Sequence, residues 1–196
     1  LSAGPSYSTV GAVMGVALAD LDGDGRSDLG LTVDGGGWQG VALRRGMGDG
    51  AFGEQEATTG TLPGARGLAA GDFNGDGVLD VAYASEAMDT LGVLLGTGGG
   101  GFAAEMAIAT GSGPQVLHAA DLDANGRTEI VVGHQGETTL RIYTVASDGT
   151  VSEALQIPLA AAATAIDSGD VSGDGVPDLA ATSTIAEIVT VVLSTP

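Results

Sequence analysis

One nine-residue pattern recurs four times in the 196-residue chain, so any admissible fold must repeat with it. The copies are Asp20-Leu-Asp-Gly-Asp-Gly-Arg-Ser-Asp28, Asp72-Phe-Asn-Gly-Asp-Gly-Val-Leu-Asp80, Asp121-Leu-Asp-Ala-Asn-Gly-Arg-Thr-Glu129 and Asp170-Val-Ser-Gly-Asp-Gly-Val-Pro-Asp178. Their first residues fall at 20, 72, 121 and 170, in steps of 52, 49 and 49. A period near fifty describes an array of like units, each burying its faces against its neighbours.

Within every copy, positions 1, 3, 5 and 9 carry side-chain oxygen, whereas position 7 is chemically indifferent: Arg26, Val78, Arg127 and Val176. Alternate residues of a tight loop can aim oxygens at one centre, which suits a hard cation such as calcium with its roughly six to eight oxygen ligands. A backbone carbonyl at position 7 would ligate whatever the side chain. Glycine at position 6 (Gly25, Gly77, Gly126, Gly175) permits the positive φ that a chain reversing around an ion requires. A helix-loop-helix calcium hand is excluded, because position 12 holds Leu31, Tyr83, Val132 and Ala181 in place of an acid. Turn propensity alone also favours Asn, Asp and Gly, but a plain turn has no need of oxygen at four alternate positions in four copies. Magnesium prefers fewer protein ligands and more water and is the weaker alternative.

Charge points the same way. The four loops hold 13 of the 25 acidic residues, where they repel one another without a cation, and four divalent ions would offset eight of the nineteen net negative charges. There is no cysteine, so disulfides and thiolate metal sites are excluded. The six basic residues are all arginine and the sequence pI is about 4.1, which argues against electrostatic binding to nucleic acid or an anionic membrane. No run of apolar residues is long enough for a helical membrane span. No charged, apolar leader precedes Leu1, so any signal peptide lies outside this sequence. Weak calcium loops fill where calcium is millimolar, and a secreted or surface-displayed protein is expected.

Each unit reads as four short strands separated by Gly, Asp and Ser. The second unit predicts strands at 65–70, 81–84, 91–95 and 102–109, the third at 115–120, 130–133, 140–145 and 151–157, and the first at 13–19, 29–33, 40–43 and 51–58. Residues 159–166 are alanine-rich and favour helix by propensity, but the repeat phase places a first strand there. Four-stranded units of this length are propeller blades. The expectation is one all-β repeat domain over 1–196, with units at about 1–58, 59–110, 111–158 and 159–196. The fourth unit runs out before its outer strand. Extra residues around 6–13 could supply that strand and close a four-blade ring; otherwise the array is part of a larger propeller, or two copies pair. An open array would expose sheet edges or apolar blade faces.

The stretch Gly71-Asp-Phe-Asn-Gly-Asp-Gly-Val-Leu-Asp80-Val, with Leu91-Gly-Val-Leu-Leu-Gly96 and Gly100-Gly-Phe102 after it, resembles the FG-GAP/VCBS repeat, the blade of integrin α-subunit propellers and of many bacterial secreted proteins. The resemblance spans nearly the whole chain. It implies that each Asp-rich loop joins the first and second strands of a blade and binds calcium through positions 1, 3, 5, 7 and 9. Carried over, the ligands are Asp20, Asp22, Asp24, the Arg26 carbonyl and Asp28; Asp72, Asn74, Asp76, the Val78 carbonyl and Asp80; Asp121, Asp123, Asn125, the Arg127 carbonyl and Glu129; and Asp170, Ser172, Asp174, the Val176 carbonyl and Asp178. Family propellers usually have seven blades, where this chain has four. Ser172 is a neutral ligand, Glu129 is longer than the usual Asp and Ala124 replaces a glycine, so the third and fourth sites are expected to be weaker.

Beyond the loops the sequence offers little chemistry. His118 and His134 have no nucleophile motif near them, no carboxylate pair stands apart from the loops, and no enzyme activity is expected. Trp38, in Gly35-Gly-Gly-Trp-Gln-Gly40, is the one large aromatic in a flexible turn and a candidate ligand contact, because exposed tryptophan can serve as a sugar platform or protein anchor. The expected function is a calcium-binding extracellular scaffold for adhesion or recognition with a protein or glycan partner; the alternative is a calcium-dependent lectin.

Overall fold

The structure, a computed structural model, describes residues 4–57 and 60–194. Residues 1–3, 58–59 and 195–196, among them the expected end of the first outer strand at Thr58, lie outside the described residues.

Each unit folds into an antiparallel meander. The first blade comprises β1 (Ala12–Ala19), β2 (Asp28–Gly35), β3 (Trp38–Arg44) and β4 (Glu56–Ala57). The second comprises β5 (Ala65–Gly71), β6 (Asp80–Ser85), β7 (Thr90–Leu94) and β10 (Met106–Ala109). Between its last two strands lies the small hairpin of β8 (Gly96–Gly98) and β9 (Gly101–Phe102). In the third, β11 (Pro114–Ala120), β12 (Glu129–His134), β13 (Thr139–Val145) and β14 (Val151–Pro158) pair in order. The fourth has three strands among the described residues: β15 (Ala165–Gly169), β16 (Asp178–Ser183) and β17 (Ile188–Val192). All nine-residue loops join a first strand to a second.

The alanine-rich stretch is not helical, and its strand begins only at Ala165. Leu159 and Ala163, ahead of it, are buried between the third and fourth blades. Packing, not helix propensity, sets the conformation there. Residues 6–11 form no strand with the fourth blade. They lie against the first blade instead: the Tyr7 hydroxyl accepts the Phe52 amide at 2.8 Å, and its ring packs edge-on against the Phe52 ring and lies under the Arg44 guanidinium.

First strands of successive blades lie beside one another, β1 by β5, β5 by β11 and β11 by β15. Close approach is possible because glycine stands where backbones meet. A Cβ on Gly15 would lie 2.8 Å from the Arg66 carbonyl oxygen, and one on Gly67 2.8 Å from that of Gln115. Both glycines sit at register shifts in their strands, where the chain bends towards its neighbour. Further out, larger apolar residues fill three inter-blade cores. Leu21, Val41 and Leu43 meet Leu68, Val81 and Tyr83; Phe73, Leu91 and Val93 meet Leu117, Ile130 and Tyr143; Leu140 and Ile142 meet Leu179 and Ala181. A blade has two apolar faces, and each interior face is buried by the next blade.

Both histidines stand at such junctions. His118 Nε2 lies 2.8 Å from Ser168 Oγ on the next blade. His134 is fully buried; its Nε2 accepts the Gly111 amide at 3.1 Å and lies 2.9 Å from Thr110 Oγ1 in the preceding link. Accepting that amide requires a neutral ring. Burial lowers the pKa of both rings from the usual 6.5. A depressed folded-state pKa gives stability that is present above the unfolded value and lost as pH falls below it. Thermal melts from neutral pH down to about pH 5 should therefore show a loss of stability that is smaller in His134→Gln, whose side chain can still accept from Gly111 but does not titrate.

Candidate metal sites

The loops curl because their own acids bond to their own amides. Asp20 accepts the amides of Gly23 (2.8 Å), Asp24 (3.0 Å) and Gly25 (2.9 Å). Asp72 does the same for Gly75, Asp76 and Gly77, and Asp170 for Gly173, Asp174 and Gly175. Asp121 accepts from Asn125 and Gly126. Positions 3 and 5 each take the amide two residues on: Asp22, Asn74 and Asp123 at position 3, and Asp24, Asp76, Asn125 and Asp174 at position 5. These are Asx turns in series. Position 6 is left-handed in all four loops, with φ from 83° to 89°. Position 4 is left-handed too, which leaves Ala124 at φ 55° with a Cβ that disfavours this conformation.

Position 9 does a separate job. Asp28, Asp80, Glu129 and Asp178 are all buried. One carboxylate oxygen accepts from the start of the loop: Leu21 and Asp22 to Asp28, Phe73 to Asp80, Leu122 to Glu129, and Val171 and Ser172 to Asp178. In three blades the other oxygen accepts an amide just beyond the third strand, Gly46 at 2.8 Å, Gly96 at 2.8 Å and Ser194 at 2.7 Å. This buried acid thus clamps three strands of its blade at one corner, a role that the spacing of oxygens alone did not reveal.

In the first loop, carboxylate oxygens of Asp20, Asp22 and Asp28 lie within 4.8 Å of one another, and in the third those of Asp121, Asp123 and Glu129 do so. The structure therefore brings positions 1, 3 and 9 together there, while Asp24, position 5 of the first loop, lies outside its group. In the second and fourth loops position 3 is the neutral oxygen of Asn74 or Ser172. Clustering and burial act on the acids of the loops. Burial, opposed by the amides of Gly96 and Phe73, raises the Asp80 pKa to about 6. Burial and the neighbouring Asp123 and Asp121 raise that of Glu129. Burial also pushes Asp178 upward, but the bonds from Ser172, Ser194 and Val171 outweigh it and the net shift is down. A hard cation fits the first and third groups by donor type and by charge.

The first loop already has one cation. Arg45, just past β3, places Nη1 2.7 Å from Asp22 Oδ2 and also donates to the Gly99 carbonyl in the turn of the β8–β9 hairpin. Gly99 in turn donates its amide to the Asp22 carbonyl at 3.2 Å. The second and third loops are braced by the Thr128 amide on the Asp72 carbonyl, 2.9 Å. Neither brace was foreseen; Arg45 was visible only as one of six basic residues. Trp38, the other predicted contact residue, is half-buried at the start of β3 and packs against the cluster of Leu31, Val33 and Ala42 on its own blade.

A family model described as the FG-GAP-like repeat matches residues 20–83, 72–132 and 121–181, each match running from one loop through the next. The chain belongs to this family. No curated protein matches the sequence. Among solved structures, the FG-GAP-like array is similar to the Photorhabdus luminescens Tc holotoxin pore (22% identity, TM-score 0.55, 90% of this chain and 9% of that one). It is also similar to an Agrocybe aegerita lectin that recognises non-reducing terminal N-acetylglucosamine (21%, 0.58, 84% and 45%). A third likeness is to BBS1N in complex with ARL6DN (11%, 0.59, 94% and 58%). At these identities the likeness is one of fold, and the chain spans less than two thirds of each.

The clamp role of position 9 separates from ion binding by experiment. In calcium-free buffer Asp80→Ala should destabilise the chain by about 1–3 kcal/mol for each amide left without a partner. Asp76→Ala, whose bond is to an exposed turn amide, should cost well under that, with urea unfolding as the measurement.

Proposed function

We propose that this FG-GAP-like array is an extracellular recognition module whose loops hold calcium, and that it is a binding protein, not an enzyme. The observation that carries the reading is the convergence of Asp20, Asp22 and Asp28, and of Asp121, Asp123 and Glu129, on common points from loops of identical phase. In each loop positions 1, 3 and 5, the position-7 carbonyl and position 9 would share the ion, and position 9 would keep its clamp. The ion would neutralise acids that otherwise repel, and so stiffen the corner between the first two strands. With site dissociation constants of about 10–100 μM and millimolar calcium, each filled site contributes about 1.4–2.7 kcal/mol. Several such contributions are comparable with a domain's whole stability of about 5–15 kcal/mol. A module stiffened in this way suits calcium-rich surroundings outside the cell. No helix among the described residues is long and apolar enough to cross a membrane.

Calorimetric titration of chelator-stripped protein with calcium should show more than one site per chain and a large rise in melting temperature, and Asp121→Ala should remove one site. No heat and an unchanged melt would overturn the reading.

Sugar recognition is the second reading, favoured by the likeness of fold to the Agrocybe aegerita lectin. If it holds, an array carrying N-acetylglucosamine-terminated glycans, probed in calcium, should give signals that Trp38→Ala abolishes. A blank array would leave protein partners as the ligands.

A further inference from the structure

Both asparagines of the chain, Asn74 and Asn125, precede a glycine, and both stand in the nine-residue loops. An asparagine so placed can react with its own backbone. The peptide nitrogen of the next residue attacks the side-chain carbon Cγ, and a following glycine has no side chain to block the approach. The two loops hold their asparagines in the same local geometry. Asn125 Oδ1 accepts the Arg127 amide at 2.8 Å and Asn74 Oδ1 that of Asp76 at 2.9 Å, so each side chain folds back over the glycine between. A donor on that oxygen also stabilises the negative charge that collects there as the nitrogen attacks. The attacking amides are bonded too, Gly126 to Asp121 Oδ2 at 2.9 Å and Gly75 to Asp72 Oδ1 at 2.8 Å. Each of these carboxylates is placed to take the proton that its nitrogen loses.

Access separates the two. Asn74 is buried at 6% exposure, and a Cβ on Gly75 would lie 3.0 Å from Arg127 Nε and 3.1 Å from Arg127 Cγ, so the arginine of the next blade covers that peptide. Asn125 and Gly126 are exposed, and a Cβ on Gly126 would meet nothing within 4 Å. We propose that Asn125 is a self-modification site, converted to an acid by deamidation in the folded chain, and that burial and Arg127 protect Asn74 from the same reaction. In the first step the bond from the Gly126 nitrogen to Asn125 Cγ forms and the Cγ–Nδ2 bond breaks. The Gly126 proton, relayed by Asp121, ends on Nδ2, which leaves as ammonia, and a cyclic imide remains. Water then opens the imide at either of its carbonyls, giving aspartate or its backbone-shifted isomer, isoaspartate. Nothing is oxidised or reduced, and water is the only co-reactant. Either product adds a carboxylate to the third loop beside Asp121, Asp123 and Glu129, whose oxygens already lie within 4.8 Å of one another. Position 5 of that loop then carries an acid, as Asp24, Asp76 and Asp174 do in the other three. The reaction needs no ion or ligand, so it stands apart from both the calcium and the sugar readings.

The test is to hold the chain in mildly alkaline, calcium-free buffer and follow it by ammonia release and by mass mapping of peptides cut with pepsin in acid, which halts the reaction. The peptide containing Asn125 should gain the mass difference between an amide and an acid, while the peptide containing Asn74 should not. Unfolded in urea, both asparagines should convert at similar rates, because glycine follows each and the fold no longer distinguishes them. Asn125→Gln, whose longer side chain would have to close a larger ring, should release no ammonia from that position in the folded state. Asn125→Asp should co-elute with the aspartate product on anion exchange. A native chain unchanged at Asn125, or one converted equally at Asn74 and Asn125, overturns the proposal.

Discussion

The blades depend on one buried carboxylate apiece. Asp28, Asp80 and Asp178 each tie the start of the loop to the exit of the third strand, and Glu129 ties the start of its own loop. A carboxylate out of water is costly unless its oxygens are filled by donors. Here the donors are main-chain amides at the turns beside it, so the carboxylate oxygens are filled without a second side chain. The clamp explains why the loop ends in an acid even in the fourth loop, whose position 3 is the neutral Ser172.

That arrangement leaves a second problem, which is repulsion. Positions 1, 3 and 9 are crowded by folding in the first and third loops, and at Glu129 the neighbouring Asp123 and Asp121 add to burial in raising the pKa. The chain answers it at one loop with a fixed charge. At the first loop Arg45 supplies a fixed positive charge, held by Asp22 and Gly99, and at the same time fastens the first blade to the second. The third loop has an acidic group of the same kind, but the nearest arginine, Arg127, is turned towards Gly75 of the second loop. An arginine and a divalent ion are alternative answers to the same crowding, so the third loop has the stronger electrostatic need for an ion despite its longer Glu129 and strained Ala124.

Much of the fold was legible because strand pattern and loop phase agree. The limits of β5, β6, β7, β12 and β13 fall within a residue or so of where alternation placed them. Two of the outer strands were less legible, whereas β14 (Val151–Pro158) lies where it was expected. The expected strand at 102–109 is interrupted between Phe102 and Met106, and of the one expected at 51–58 only Glu56–Ala57 is strand among the described residues. Outer strands have one neighbour and little burial, so alternation there is weakly selected by packing. The oxygens of the loops were legible, but not their division of labour. Sequence spacing treats positions 1 to 9 as one ring, whereas burial separates position 9, which faces the sheet, from position 5, which faces solvent. Arg45 was invisible because its partners, Asp22 and Gly99, are 23 and 54 residues away.

The N-terminal segment shows why closure could not be read from counting residues. The surplus before the first loop suggested a strand long enough to complete the fourth blade. Tyr7 settles the segment elsewhere: its ring meets Phe52 and Arg44, its hydroxyl takes the Phe52 amide, and the Ser8 carbonyl takes the Arg44 guanidinium. Arg44 lies in β3 with its side chain buried, and a buried guanidinium must find acceptors. Satisfying that local demand draws residues 6–11 to the first blade and leaves the outer edge of β17 without a strand among the described residues. A cavity of 240 Å³ beside that edge, lined by Leu155, Ile157, Leu179 and Leu193, is where an outer strand of the fourth blade would place its inward side chains. One buried arginine thus accounts for the course of residues 6–11 along the first blade.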